Sequence, residues 1–417
     1  MIKKNKCSFC GSDFTTRQLE NFERILLKSG IEEDTRICDE CVQQCLDAIE
    51  SIKDTLDTNQ TIKTEENITP LTIKERLDEW IIGQEKAKRI MSTALYNHYK
   101  RINDKVDKNG VVMEKSNILL VGPTGSGKTA IVKALAQDLN LPYTIEDVTN
   151  ITSAGYVGRD TDEILKNLLT AANGDIELAQ KGIVFLDEAD KLRRKGNTLS
   201  GQKDVNGEGV QQALLKMIEG GVFEVKKSKN PTDSSSIKFD TTNVLFIIGG
   251  AFEGIEKHIA KRLKSKETNT TTLGFGAKIE SKDKQNFNEL ILQVKHADLM
   301  EFGMTPEILG RCPIVAPLEE LSEDALVSIL TEPKNAIVKQ FRKSFAKDNV
   351  ELVIEEDALK AIAKEAKNRK TGARALRTLM EETLEEASFK APSDKEITQV
   401  TVGSNLECSY GKSVVNI

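Results

Sequence analysis

The residues of this chain with the clearest chemistry form a glycine-rich loop that ends in a lysine and a threonine. Residues 122–129 read Gly-Pro-Thr-Gly-Ser-Gly-Lys-Thr, the G-x-x-x-x-G-K-[ST] pattern of a phosphate-binding loop. Lys128 supplies a positive charge for the β- and γ-phosphates, and the Thr129 hydroxyl is a ligand for Mg²⁺. The glycines let successive backbone N–H groups converge on phosphate oxygens. The predicted nucleotide contacts are Gly122, Pro123, Thr124, Gly125, Ser126, Gly127, Lys128, Thr129 and Ala130.

A pair of acids directly follows a second apolar run, at residues 183–186. Because the carboxyl ends of parallel strands meet at one edge of a sheet, these acids are expected beside the phosphate loop. Asp187 is predicted to hold Mg²⁺ through water, and Glu188 to orient and polarise the attacking water. Either acid alone is also a common helix N-cap, but the combination with the loop favours a hydrolytic site.

Two arginines are candidates for contact with the transferred phosphate. Arg311 ends the sequence Pro-Glu-Ile-Leu-Gly-Arg at the expected junction of two domains, and Arg374 opens an expected helix of the second domain. An isolated arginine is usually a surface charge. In a nucleotide hydrolase, arginines at such points stabilise charge that develops in the transition state.

Four cysteines near the N-terminus predict a structural zinc site. Cys7 and Cys10 form one C-x₂-C pair, and Cys38 and Cys41 form a second. Four thiolates complete a tetrahedral Zn²⁺ site with no open coordination position, so the metal is predicted to be structural. The spacer of 27 residues between the pairs is longer than the usual 15–20. The alternative is a set of free buried thiols.

Apolar residues at helical spacing follow the second cysteine pair. They are Val42, Cys45, Leu46, Ile49, Ile52 and Leu56. The stripe either packs on the zinc site or forms a self-association face, and the spacing leaves both open. Cys45 is interpreted as a core residue, not as a fifth ligand.

The segments that must position these groups are of two kinds, which alternate along the chain: short apolar runs and stretches with the apolar spacing of a helix. Runs at 118–121, 183–186 and 244–248 are typical of buried parallel strands. Over residues 71–317 this alternation predicts an α/β domain, a parallel sheet with flanking helices. Such a sheet brings the phosphate loop and the two acids to a common edge.

The other segments differ in character from the α/β part. Residues 318–417 are mostly helical in pattern, with strands expected only at 352–354 and 397–402, which predicts a smaller helix-rich domain. Residues 1–50 are the cysteine-bearing domain. The polar, threonine-rich stretch 51–70 is interpreted as a linker.

The composition excludes some classes of protein. The net charge of −6 argues against a dedicated nucleic-acid binder, which normally carries a basic footprint. No stretch approaches the roughly 18 apolar residues of a membrane span. The basic N-terminus is not followed by the apolar segment of a signal peptide. We therefore expect a cytoplasmic protein with no membrane contact.

These motifs, in this order, resemble the AAA+ ATPases, and among them the ring-shaped protein unfoldases that serve a separate peptidase. The resemblance covers nearly the whole chain. It implies ATP and Mg²⁺ as cofactors, a homo-hexamer, and protein substrates that arrive with adaptors. By motif position, Arg311 becomes an arginine finger that acts on a neighbouring subunit, and Arg374 becomes a sensor in the second domain. Ile81 and Ile82, within Trp-Ile-Ile-Gly-Gln, match the family's apolar contacts with adenine.

The resemblance also assigns three loops. The substrate-gripping pore loop matches Gly155, Tyr156, Val157 and Gly158, and residues 204–210 resemble a second pore loop. An aromatic tip between glycines gives broad, sequence-tolerant contact with a polypeptide. The tripeptide that docks on the partner peptidase matches Leu273, Gly274 and Phe275.

The chain departs from the family at one loop, and two alternative functions stay open. The family's basic Arg-Lys-His entry loop is expected within 226–240, where this chain is lysine-rich without that triplet; this stretch and 264–288 are expected to be loops. One alternative is a sister unfoldase that shares Gly-Tyr-Val-Gly but lacks the zinc segment and the docking tripeptide. The other is a nucleic-acid motor, for which the basic run is Lys191, Arg193, Arg194 and Lys195.

Overall fold

The computed structural model divides the chain into two compact units, Met1–Lys63 and Thr64–Ile417. The residues that the structure describes are 7–10, 12, 26–28, 36–46, 68–103, 111–151, 161–193, 208–226, 236–268, 287–369 and 371–412. No described helix is long and apolar enough to cross a membrane.

The first unit is built around a short hairpin and the cysteines. Strand β1 (Leu26–Lys28) pairs antiparallel with β2 (Arg36–Cys38), and residues 39–46 continue directly as a helix. Since β2 ends at Cys38 and the helix carries Cys41 in its first turn, this strand-to-helix junction presents the second cysteine pair as one group.

A five-stranded parallel sheet organises the second unit, in the order β4-β5-β8-β3-β9. Its strands are β3 (Ile118–Val121), β4 (Tyr143–Asp147), β5 (Ile183–Asp187), β8 (Leu245–Gly250) and β9 (Ile314–Pro317). The three central strands are buried almost throughout, because helices cover both faces. The predicted parallel sheet with flanking helices is confirmed, although β4 and β9 were not foreseen.

Ten helices surround this sheet in the described part of the chain. They are α1 (Pro70–Asp78), α2 (Glu85–Asn103), α3 (Lys128–Asp138), α4 (Thr161–Ala171), α5 (Ile176–Ala179), α6 (Glu208–Glu219), α7 (Ile255–Thr268), α8 (Phe287–Ile291), α9 (His296–Phe302) and α10 (Pro306–Arg311). Helix α3 buries Ile131, Val132 and Leu135. The helix after the phosphate loop is thus held against the sheet by its apolar face.

The expected loops at 226–240 and 264–288 are partly regular structure, so both expectations were wrong at their ends. Strand β6 (Val222–Lys226) pairs antiparallel with β7 (Ser236–Asp240). In β7 the polar residues face outward while Phe239 is fully buried, an alternation that the high polar content obscured. Helix α7 likewise extends to Thr268, and α8 begins at Phe287.

The helix-rich part of the second unit has its own core. Its elements are α11 (Glu323–Thr331), α12 (Ile337–Lys347), β10 (Glu351–Ile354), α13 (Glu356–Asn368), α14 (Arg374–Lys390), β11 (Ile397–Val402) and β12 (Cys408–Lys412). Strand β11 is parallel to β10 and antiparallel to β12. The mostly helical character and the strands at β10 and β11 are confirmed. The third strand was missed because its sequence is polar and it lies at the sheet edge.

Candidate active site and zinc site

The phosphate loop joins β3 to α3 at the carboxyl edge of the sheet. Gly125 and Gly127 have φ angles of 76° and 99°, in the left-handed region that favours glycine. A Cβ atom on Gly125 would lie 2.2 Å from the carbonyl oxygen of Thr371. The turn therefore favours glycine at both positions, and at Gly125 the close approach of the segment that precedes α14 also leaves no room for a side chain.

Lys128 lies folded onto its own loop. Its Nζ donates hydrogen bonds to the carbonyl oxygens of Gly122 at 2.7 Å and Pro123 at 2.9 Å. Burial lowers the pKa of the Lys128 ammonium to about 8, and the nearby Asp187 carboxylate opposes this shift. A bound phosphate would replace two neutral acceptors by charged ones, which favours the protonated lysine.

The predicted magnesium ligands meet across the sheet edge. Thr129 Oγ1 donates a hydrogen bond to Asp187 Oδ2 at 3.1 Å. Asp187 Oδ1 accepts a hydrogen bond from the backbone N–H of Glu188 at 2.9 Å. A hydroxyl and a carboxylate oxygen at this separation fit Mg²⁺, which prefers oxygen ligands and keeps several waters.

Glu188 has a left-handed backbone, with φ 60°. This conformation is strained in a residue other than glycine, and such strain clusters at functional sites. It turns the chain sharply where β5 ends, directly before the 3₁₀ turn Ala189–Leu192. The backbone therefore changes conformation between the two predicted acids, from the strand at Asp187 to the left-handed region at Glu188.

A cavity beside the phosphate loop is shared by the sheet part and the helix-rich part. It is lined by Gly125, Gly127, Lys128, Thr129, Ala130, Ala373 and Arg374. The positive charge of Arg374 is one influence that lowers the pKa of Lys128. The helix-rich part thus contributes a cationic residue, Arg374, to the lining of the cavity beside the phosphate loop.

The predicted adenine contacts lie in the connection between α1 and α2. Ile81 is 9% exposed, and Ile82 is half-buried. The connection is attached to the phosphate loop because Gln84 Nε2 donates a hydrogen bond to the Ser126 carbonyl oxygen at 3.1 Å. Both isoleucines are thereby held near the loop that would bind the phosphates.

Arg311 lies at the opposite edge of the sheet from the phosphate loop. Its carbonyl oxygen accepts a hydrogen bond from Asn117 Nδ2 at 2.9 Å, and Asn117 directly precedes β3, whereas the loop follows β3. The four residues of β3 separate the two sites by about 13 Å, at ~3.3 Å per residue. The Arg311 side chain is 57% exposed, and its Nε donates to Glu219 Oε1 at 2.9 Å. The guanidinium is therefore directed to the surface, away from the chain's own phosphate loop.

Asn117 connects the arginine to the sheet and was not identified from the sequence. It is 2% exposed, and its Nδ2 also donates to the Ile218 carbonyl oxygen at 3.3 Å. Its Oδ1 accepts a hydrogen bond from the Phe246 N–H at 3.2 Å. These contacts fix the carboxyl ends of α6 and α10 to the amino edge of the sheet. A single asparagine before a strand is common in protein sequences, so the sequence alone did not indicate this role.

Gln211 is a second buried amide that the sequence did not single out. Its Nε2 donates to the Leu192 carbonyl oxygen at 2.6 Å, and its Oε1 accepts from the Thr305 hydroxyl at 2.8 Å. Helix α6 is thereby linked to the turn after the two acids and to the start of α10. Helix α6 thus contacts both the turn after the two acids, at the carboxyl edge of the sheet, and the helix that ends at Arg311, at the amino edge.

The four predicted zinc ligands converge in the first unit. Their sulfur atoms all lie within 4.8 Å of one another, with Cys7–Cys41 and Cys10–Cys38 separations of 3.9 and 3.8 Å. A tetrahedron of sulfurs about 2.3 Å from Zn²⁺ has edges of about 3.8 Å. Burial raises the pKa of the Cys7 thiol, but N–H donors outweigh burial and lower it to about 6. The donor set and its spacing therefore fit Zn²⁺.

Removal of metal is expected to unfold the first unit and leave the second intact. The described core of the first unit is only Cys7, Cys38 and Cys41 with Ile37, whereas structural zinc supplies roughly 10–16 kcal/mol in comparable peptides. After chelation, hydrogen exchange over residues 36–46 should become fast while β3 keeps its protection. Cys41→Ser should have the same effect. Cys45→Ser is the matched control, and fast exchange in it, or slow exchange after complete metal removal, would contradict the prediction.

Several predicted residues lie outside the described part of the chain. They are Gly155, Tyr156, Val157, Gly158, Leu273, Gly274, Phe275, Arg194, Lys195, Ile49, Ile52, Leu56 and most of residues 204–210. The pore and docking loops therefore stay predictions. In the described half of the apolar stripe, Leu46 is 47% exposed. In the basic run, the Arg193 guanidinium lies 5.6 Å from the centre of the Phe302 ring.

The parallel sheet, the phosphate loop with its two acids, and the helix-rich part above the loop define an AAA+ ATPase. The family model for an AAA domain of the Cdc48 subfamily matches residues 113–315. The model for the C-terminal, D2-small domain of ClpB protein matches residues 321–403. The chain is 46% identical to the ATP-dependent Clp protease ATP-binding subunit ClpX of Treponema denticola, over 96% of this chain and 93% of that protein. The chain belongs to the ClpX family.

A second relative matches over a still larger share of the chain. It is the protein of the same name from Porphyromonas gingivalis, 41% identical over 99% of this chain and 96% of that protein. The similarity therefore extends through the cysteine-bearing first unit as well as the ATPase unit.

Proposed function

We propose that this chain is an ATP-driven protein unfoldase that passes its substrates to the ClpP peptidase. The observation that carries the proposal is the 46% identity, over nearly the whole chain, to a ClpX named as the ATP-binding subunit of a Clp protease. The ATPase unit comprises a large domain over 71–317 and a small domain over 318–417. A zinc domain over 1–50 and a linker over 51–70 precede them.

We assign a separate role in ATP binding or hydrolysis to each side chain of the site. Lys128 neutralises the β- and γ-phosphates, while Thr129 and Asp187 hold Mg²⁺ directly and through water. Glu188 polarises the attacking water. Arg374 contacts the phosphates from the small domain, so its position depends on the angle between the two domains.

The position of Arg311 favours a ring in which each ATP site is built by two subunits. A guanidinium at the amino edge of the sheet is too far from its own phosphate loop to stabilise charge there, but a neighbour's loop can reach it. A closed ring repeats one such head-to-tail contact at every interface. We propose the homo-hexamer of the family. Loss of the neighbour's γ-phosphate then releases a contact and lets the domains reorient.

The mechanical step is assigned to Tyr156 and its flanking glycines. Native domains are stabilised by roughly 5–15 kcal/mol, so unfolding needs repeated pulls or a pull at a weak local element. An aromatic tip grips any polypeptide sequence through non-specific contact. Axial movement of six such tips would transmit ATP hydrolysis to the substrate.

Tyr156→Ala is expected to keep ATPase activity within about twofold of wild type and to lose unfolding by about tenfold or more, because the aromatic grip is removed while the nucleotide site is untouched. The measurement is ATP-dependent loss of fluorescence from a tagged, stably folded fluorescent protein, beside phosphate release. Tyr96→Ala, at a half-buried tyrosine of α2, is the matched control. Wild-type protein that is stimulated by single-stranded DNA and not by unfolded protein would overturn the unfoldase in favour of a nucleic-acid motor.

Phe275→Ala is expected to spare unfolding and to abolish stimulation of ClpP, since an aromatic side chain between two glycines suits insertion into a partner pocket. Phe389→Ala, at an aromatic that is 81% exposed in the small domain, is the control. The measurement is ClpP-dependent degradation of an unfolded substrate. Undiminished degradation with Phe275→Ala would contradict the docking role, and co-purification with HslV in place of ClpP would favour the HslU-like alternative.

The zinc domain is proposed to bind adaptors and to self-associate. Phe9, which lies between Cys7 and Cys10, is 71% exposed and Leu46 is 47% exposed. Two large apolar side chains therefore face solvent within a small unit. Thiolate ligation of Zn²⁺ needs reduced cysteines, which supports a cytoplasmic location.

A further inference from the structure

Gln84 is a buried glutamine that contacts both the phosphate loop and the segment that joins the large and small domains. It is 5% exposed. Its Nε2 donates hydrogen bonds to the carbonyl oxygens of Ser126 at 3.1 Å and Glu319 at 2.9 Å. Its Oε1 accepts a hydrogen bond from the Glu319 N–H at 2.9 Å. Both donors of the amide are therefore used, one on each element.

The backbone at Gln84 is held in an unfavourable conformation. Gln84 has φ 57°, and Gly83 before it has φ 66°. A left-handed backbone outside glycine persists only where surrounding contacts over-determine it, and it is common at functional sites. The three hydrogen bonds of the side chain restrain Gln84 in this conformation, together with the bond that its carbonyl oxygen accepts from the Lys88 N–H at 2.9 Å.

The phosphate loop and the joining segment also pack directly against each other. The Leu318 N–H donates to the Val121 carbonyl oxygen at 2.7 Å, which continues the sheet edge beyond β9. A Cβ atom on Gly122 would lie 2.6 Å from Leu318 Cβ. Because no space separates the two elements, a shift of the loop must be accommodated by residues 318–319.

The connection that carries Gln84 also touches the small domain. The Lys334 N–H donates to the Glu79 carbonyl oxygen at 2.9 Å. The Lys334 ammonium forms an ion pair with the Glu79 carboxylate and lies 6.0 Å from the centre of the Trp80 ring. The connection between α1 and α2 is thus fixed to the small domain at one end and, through Gln84, to the phosphate loop at the other.

We propose that Gln84 is a positioning residue that couples the state of the phosphate loop to the angle between the large and small domains. A shift of the loop on phosphate binding would carry the Ser126 peptide group with it, and Gln84 bonds to that group. Since one amide nitrogen serves both Ser126 and Glu319, a change at the first alters the geometry at the second. The inference rests on the proposed unfoldase function, in which domain reorientation performs the work.

The test is the number of ATP molecules hydrolysed per substrate molecule unfolded. Gln84→Leu removes all three hydrogen bonds, and the isosteric Gln84→Glu keeps only an acceptor for the Glu319 N–H. Both variants are expected to raise this number by about five- to tenfold, the low end of coupling between sites. The KM for ATP should stay within about threefold of wild type, because both variants keep every residue that is predicted to contact the nucleotide.

Gln340→Leu is the matched control, because Gln340 also bonds a backbone carbonyl, that of Asn335, but lies on an exposed face of α12. It should keep the wild-type ratio. A merely structural role of Gln84 would lower ATPase and unfolding together and leave the ratio unchanged, and that result in both variants would overturn the inference. If Gln84→Leu fails to fold, Gln84→Glu decides. Absence of unfolding by wild-type protein would instead be a failure of the proposed function.

Discussion

Glu188→Gln should bind ATP with nearly wild-type affinity and hydrolyse it at least about 10²-fold more slowly, since a positioned general base contributes about 10²–10⁴ in rate. The substitution replaces a carboxylate oxygen by an amide and keeps the size of the side chain. The Glu188 N–H bond to Asp187 Oδ1 at 2.9 Å involves the backbone, so the variant retains it. Lys128 and Thr129 are unchanged, and the nucleotide and its metal keep their ligands.

The measurement is equilibrium nucleotide binding together with single-turnover phosphate release. Glu253→Gln is the matched control, because Glu253 lines the cleft beside the phosphate loop and undergoes the same change of charge. It should hydrolyse ATP at the wild-type rate. Normal turnover by Glu188→Gln would show that another group activates water, and the assignment of Glu188 would be wrong.

Arg311→Ala has the second large expected effect, a loss of about 10³-fold or more in ATP hydrolysis, because an arginine finger is worth about 10³–10⁵ in rate. ATP affinity should change much less than the rate, since Lys128, Thr129 and Asp187, the proposed ligands of the phosphates and the metal, are unchanged. The Glu219 ion pair is exposed, so its loss should cost at most about 1 kcal/mol of stability.

Arg377→Ala provides a matched control. Its side chain is 59% exposed and pairs with Glu381 at 3.6 Å, which resembles the exposure and pairing of Arg311. Steady-state ATPase at saturating ATP should be normal in Arg377→Ala and nearly absent in Arg311→Ala. Equal activity of the two variants would remove Arg311 from the catalytic site.

The parts of the site that lie in short continuous motifs were predictable from the sequence. The phosphate loop carries its signal in eight adjacent residues, and the acids follow an apolar strand that is recognisable by itself. The meeting of Thr129 and Asp187 then follows from the parallel sheet, because the carboxyl ends of its strands share one edge. Each cysteine pair is likewise a short continuous motif, and the four sulfur atoms converge as the two C-x₂-C pairs predicted.

The connections between these parts were not predictable, because their partners are distant in the chain. Gln84 meets Glu319, and Gln211 meets Thr305, only after the sheet has formed. A single buried amide leaves no pattern in composition or periodicity. The strands β6 and β7 were hidden for a related reason, since their outward residues are polar and the alternation is short. Arg311 was identified by motif, but its place at the amino edge needed the structure.

The central claim is that each ATP site is built from two subunits, and mixed rings test it most directly. Glu188→Gln subunits keep Arg311, and Arg311→Ala subunits keep Glu188, so a ring of both contains some interfaces with one intact copy of each. A site is intact when its own subunit is the Arg311→Ala variant and the neighbour that supplies the arginine is the Glu188→Gln variant. When equal amounts mix at random, about a quarter of the sites meet both conditions. Each variant alone should be nearly inactive, and the mixture should recover ATPase activity toward about a quarter of wild type by this count. A mixture no more active than either variant alone, in rings shown by native mass spectrometry to contain both, would contradict a site shared between subunits.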